Sequence, residues 1–143
     1  IAHVWKIGEG GQLSKQQTLK HAEQVNCTMF SPDSLLLSTA AADGHVRVYE
    51  AGREWDELAR LKGHSDEANS VSLACKGARV LLASASDDKT AAVWDLSSVA
   101  VALRVAQARA AKGGGGGGGA VPKAPAVAPE TSVGDKGDME GLD

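Results

Sequence analysis

The stretches ADGHVRVYE at residues 42–50 and DDKTAAVWD at residues 87–95 follow one outline, an aspartate, alternating apolar residues and an aromatic six positions on. A recurrence at this spacing constrains the fold more than any other feature, because periods of roughly 20 to 50 residues belong to modules that bury their apolar faces only against neighbouring modules. Matching LKHAEQVNCTMFSPDS (residues 19–34) to LKGHSDEANSVSLACKG (61–77) sets His21 on His64, Asn26 on Asn69 and Phe30 on Leu73. With a two-residue insertion near Ala78 and Arg79 in the second copy, Thr39 then meets Ser84, Asp43 meets Asp88 and Tyr49 meets Trp94.

Within each copy, short period-2 runs are separated by turn-forming residues: Ser31-Pro32-Asp33 and Lys76-Gly77 first, then Asp43-Gly44 and Asp88-Lys89. A further strand fits Leu58 to Leu61, with Val99 to Val105 as its counterpart. Val4-Trp5 and Gln16 to Leu19 supply the third and fourth strands of a preceding unit. The expected organisation is all-β, built from four-stranded antiparallel sheets: half a unit over residues 1–20, full units over 21–62 and 63–105, and a tail over 106–143. The tail is rich in Ala, Gly and Pro, with seven consecutive glycines from Gly113 to Gly119, and such a composition favours disorder because it offers little apolar surface to offset chain entropy. Thr131 and Ser132 are its one candidate regulatory pair.

Charge narrows the function classes. Residues 113–143 hold two lysines against five acids, whereas the rest carries equal numbers of basic and acidic side chains. Phosphate recognition needs a basic face, and no Lys/Arg cluster is present in the sequence, so nucleic acid is not an expected partner. Cys27 and Cys75 lie 48 positions apart without CxxC spacing, which argues against a disulfide framework or a zinc site, and no cofactor is expected. Reduced thiols, with no apolar run of about 20 residues and no signal-peptide pattern, suggest a cytoplasmic or nuclear protein.

Gly63-His64, followed after about 30 residues by Trp94-Asp95, resembles the WD-repeat (transducin β-like) family of β-propellers. The resemblance covers residues 1 to about 105, and the first copy departs from it at Lys20 and at Tyr49-Glu50. It implies a hydrogen-bonded structural tetrad in each blade: His64, Ser84, Asp88 and Trp94 in the second copy, and His21, Thr39, Asp43 and Tyr49 in the first. The donor inventory fits, since tryptophan only donates, ionised aspartate only accepts, and histidine and serine do both. A Ser-His-Asp hydrolase would use the same residue types, but Ser84 lies in ASAS rather than a G-x-S-x-G elbow, and a catalytic set is not expected once per repeat. The chain is therefore expected to be non-enzymatic. Trp55-Asp56, in GREWDELARL, is placed in a connecting loop rather than at a strand end.

Propellers close a ring of typically four to eight blades. About two and a half blades make an incomplete ring, and with Ile1 opening an already alternating run, the sequence reads as a fragment of a larger protein. By the resemblance, the loop after each histidine and the turn before each third strand share one face. That face would carry Glu23, Gln24, Ala42, Asp66, Glu67 and Asp87, a mostly acidic set suited to basic peptides. The expected function is a protein-protein interaction scaffold or adaptor within a larger complex. The alternative is the propeller of an endoplasmic-reticulum guanine-nucleotide exchange factor for a Sar-type coat GTPase, which VYEAGREWDELARLKGHSDEANSVSL somewhat resembles.

Overall fold

The computed structural model describes residues 1–52, 54–112 and 131–134, and among these it has ten strands and one helix. The chain opens with an antiparallel hairpin, β1 (Ala2–Ile7) and β2 (Leu13–Leu19). A four-stranded antiparallel sheet follows, β3 (Val25–Phe30), β4 (Leu36–Ala41), β5 (His45–Glu50) and β6 (Glu57–Lys62), paired in sequence order. The next sheet runs β7 (Ala68–Lys76), β8 (Arg79–Ser86) and β9 (Thr90–Asp95), and its fourth position is taken by β10 (Thr131–Gly134). The architecture is all-β, with two four-stranded blades and half of another.

Turn chemistry fixes the hairpins where sequence places them. Between β3 and β4, Ser34 adopts a φ of 59° and donates its amide to Ser31 O at 2.8 Å. The Asp33 carboxylate accepts from the Leu35 amide at 3.2 Å, so the turn's own side chain satisfies its backbone. Gly77, with φ 61°, closes β7 onto β8.

The main core lies between the two four-stranded sheets. Leu36, Val46, Val48 and Leu61 of the first meet Val71, Leu73, Val80, Leu82 and Trp94 of the second, all buried. A smaller cluster of Leu19, Leu37 and Tyr49, with Ala2 and Val4 against it, seats the hairpin on the other side of the first sheet. Sheet faces thus alternate between cores, and successive units stack by burying period-2 residues against one another.

Two segments differ from the sequence expectation. Residues 99–105, expected as a fourth strand, lie in the helix α1 (Ser97–Lys112). Asp95 accepts from the Ser97 amide at 2.7 Å, satisfying a donor of the first turn, and Val99, Ala100 and Leu103 form one buried face spaced for a helix. Within the expected tail, residues 106–112 continue this helix and residues 131–134 form β10; the remainder, 113–130 and 135–143, lies outside the described residues. α1 ties the two blades together, because Arg104 reaches both Gly77 O at 3.2 Å and the Asp33 carboxylate. No described helix is long and apolar enough to cross a membrane.

Candidate functional site: a buried polar relay and an acidic loop end

In the second blade, the loop after β6, strand β8, the β8–β9 turn and strand β9 each deliver one side chain to a single line of hydrogen bonds. Trp94 Nε1 donates to Ser84 Oγ at 3.0 Å, and Ser84 Oγ lies 2.8 Å from His64 Nε2. His64 Nδ1 lies 3.0 Å from Asp88 Oδ2. Trp94 can only donate and ionised Asp88 can only accept, so the proton order follows: Ser84 receives from Trp94 and gives to His64, which gives to Asp88. Each buried polar atom in the line is satisfied, as a low-dielectric interior demands.

Asp88 is the terminus of the relay and its anchor. Burial alone would discourage its ionisation, but the Thr90 hydroxyl at 2.6 Å, the amides of Ser65 at 3.0 Å and Thr90 at 2.9 Å, and His64 outweigh it. They hold the carboxyl well below the usual carboxylate range. Sequence matching missed Thr90, and the signal was there: a residue two positions after an aspartate is where an Asx-type turn returns its hydrogen bond.

The first blade assembles a different set from the four residues aligned with these. His21 Nε2 lies 2.8 Å from Thr39 Oγ1, but its Nδ1 donates to Leu19 O at 3.2 Å. Asp43, expected to join His21, instead accepts from both terminal nitrogens of the Arg47 guanidinium and from the His45 amide at 3.1 Å. Arg47 is the cause, since it occupies the position that Ala92 holds in the second blade, four residues on from the aspartate. The hydrogen bonds from Arg47 outweigh desolvation and lower the Asp43 pKa to about 2. Tyr49 turns its hydroxyl to His21 Nε2 at 3.4 Å, a longer contact than the 3.0 Å that Trp94 makes to Ser84, and burial first, with Glu57 nearby, raises its pKa to about 12. Burial likewise lowers the His21 pKa.

At the loop end of the two blades, the segment after each histidine is pinned to the following turn: Ala42 N donates to Gln24 O at 2.8 Å, and Asp87 N to Glu67 O at 3.0 Å. The blades also meet there. Asn26 Nδ2 donates to Ala68 O at 3.1 Å and to Glu67 Oε2 at 3.4 Å, while Gly44 packs so closely on His64 O and Asp66 O that a Cβ would stand 3.2 and 3.0 Å from them. Glu23, Gln24, Asp66, Glu67 and Asp87 are exposed and Ala42 is half-buried. Trp55 lies in the β5–β6 connection, half-buried and edge-on to Phe30 at 6.2 Å. Among the described residues no group of three or more His, Cys, Asp or Glu converges to hold a metal ion.

Stacked four-stranded antiparallel blades, carrying a His-Ser-Asp-Trp relay in the second, define a repeat protein of the propeller class. Residues 13–50 and 55–95 match the WD domain, G-beta repeat family, and the chain belongs to that family. It is 38% identical over 80 residues to WD repeat-containing protein 1 of Xenopus tropicalis, covering 54% of this chain and 13% of that protein. It is 29% identical to Protein ROOT INITIATION DEFECTIVE 3 of Arabidopsis thaliana, over 66% of this chain and 24% of the other. The Target of rapamycin complex subunit wat1 of Schizosaccharomyces pombe is 34% identical over 59% of this chain and 27% of its own length. The chain thus spans no more than about a quarter of the length of these relatives.

Proposed function

We propose that this chain is a non-enzymatic scaffold element that holds other proteins in a larger assembly, docking a basic peptide segment at the loop end of its two blades. The observation in support is the acidic end itself, where Glu23, Asp66, Glu67 and Asp87 stand exposed on loops pinned by backbone hydrogen bonds. Fixed carboxylates on a rigid sheet frame attract lysine and arginine side chains without reorganisation, which favours both association rate and specificity. The family membership and the complex-subunit title of one relative agree with a role in assembly. Cytoplasm or nucleus would be its compartment.

The test is binding of a lysine- and arginine-rich peptide, followed by fluorescence anisotropy at two salt concentrations. Glu23→Lys with Glu67→Lys weakens binding by about tenfold or more, and salt weakens binding to the unmodified chain. Equal affinity of the two proteins sinks the basic-peptide reading. Scrambling the peptide separates recognition from simple charge attraction.

A further inference from the structure

The second blade obtains its outermost strand in an unusual way. In the first blade, β6 follows β5 after the short connection 51–56 and covers its outer edge. In the second, the chain leaves β9 into α1, and β10 returns from beyond residue 130 to pair antiparallel with β9: Thr131 with Val93, Ser132 with Ala92, Val133 with Ala91 and Gly134 with Thr90. Without β10, the outer edge of β9 would present unpaired amides and carbonyls over a run of apolar and small residues, TAAVW. Such an edge is a template for another strand, and the strand nearest in chemistry is the same edge of a second copy.

We infer that Thr131–Gly134 is an edge guard, a strand donated by the chain to its own second blade that keeps β9 from pairing with β9 of another copy. Eighteen residues, 113–130, separate it from α1. A tethered segment meets its site at an effective concentration on the order of millimolar, so self-donation outcompetes a second chain in dilute solution. Thr131 and Val133 are β-branched, which suits an extended backbone. Four paired residues make a short ladder, however, and the guard is correspondingly easy to displace. This inference stands independently of the basic-peptide reading, since it concerns the edge of β9 and not the loop end.

The experiment uses the full chain with Ser132→Pro and Val133→Pro together. Adjacent residues of a strand point their amides to opposite sides, so one of the two prolines removes an amide that faces β9. Gly116→Pro, which adds a proline outside the strand, is the control. Hydrogen exchange of the β9 amides facing β10 accelerates about tenfold or more in the double-proline chain at low concentration. Sedimentation analysis then shows it associating at concentrations where the control does not. Unchanged exchange overturns the guard, and faster exchange without added association overturns the second copy as the partner it excludes. Association that 65–96 exchange shows to be centred away from β9 overturns the inference equally.

Discussion

Asp88 binds His64 at 3.0 Å, and Asp43, at the same repeat position, turns from His21 to Arg47. Arginine stands at position 47 where the other blade has Ala92, and its guanidinium takes up the carboxylate four residues before it. The second blade carries a relay that crosses its strands, the first an ion pair between its β4–β5 turn and β5.

Ser84 is the node of that relay, receiving from Trp94 and giving to His64. Replacing it with alanine strands two buried partners, so Ser84→Ala lowers stability by about 1 to 3 kcal/mol. Thr39→Ala removes the 2.8 Å partner of His21 Nε2 but leaves the Tyr49 hydroxyl 3.4 Å from it, and has the smaller effect. Urea denaturation of both variants checks the order, and equal losses would show that the indole contact contributes nothing.

Much of this fold was legible in the sequence because alternation, turn residues and the repeat all point one way. The helix was not, since Val99 to Val105 is an apolar run broken only by Arg104, and so short a run satisfies strand and helix alike. The spacing of Leu96, Val99, Ala100 and Leu103 was the discriminating signal, and it becomes visible only once the core they share is known. At the site, matching residue types predicted a tetrad in both blades, but the partner of Asp43 depends on a side chain outside the matched positions. Pattern alignment registers which residues recur, and it misses a competitor that enters between them.

Acid stability follows from the two depressed carboxyls. Asp43 and Asp88 have folded-state pKa values below their unfolded values, so their contribution is complete above about pH 4 and is lost as pH falls toward the folded values. Asp43→Asn flattens the part of the decline that falls between about pH 4 and about pH 2. Chemical denaturation at a series of pH values reads this directly, and an unaltered slope would show that Arg47 does not hold the Asp43 carboxylate in solution.

Gly44 and Gly77 both have positive φ, 72° and 61°, but only Gly44 faces neighbouring backbone where a Cβ would go. Gly77→Ala therefore carries only the left-handed penalty of about 1 to 2 kcal/mol. Gly44→Ala adds a clash with His64 O and Asp66 O across the blade junction and destabilises by more. Thermal melts of the two variants give the comparison; a smaller loss for Gly44→Ala would mean that the junction opens without penalty.

Tyr49 is the single tyrosine of the chain, so its ionisation can be followed without interference from another phenol. Burial and the nearby Glu57 raise its pKa to about 12, which makes the folded state favour the neutral phenol. The sign is opposite to that of the carboxyls: stability is full below the unfolded value of about 10 and falls as pH rises above it. Absorbance of phenolate near pH 10.5 is small in the folded chain and more than half-maximal in urea.

Leu103 joins α1 to the core and is fully buried with Leu96, Val99 and Ala100. Leu103→Ala removes apolar contacts and leaves a cavity, destabilising by about 2 to 5 kcal/mol. Arg104→Ala, which loses the exposed pair with Asp33 and the Gly77 O contact, has an effect of about 1 kcal/mol or less. If α1 binds the blades through apolar burial, hydrogen exchange in the helix accelerates strongly in Leu103→Ala and slightly in Arg104→Ala. The reverse order would assign the attachment to the ion pair, and residues 97–112 would then be held at their polar edge while the apolar face contributed little.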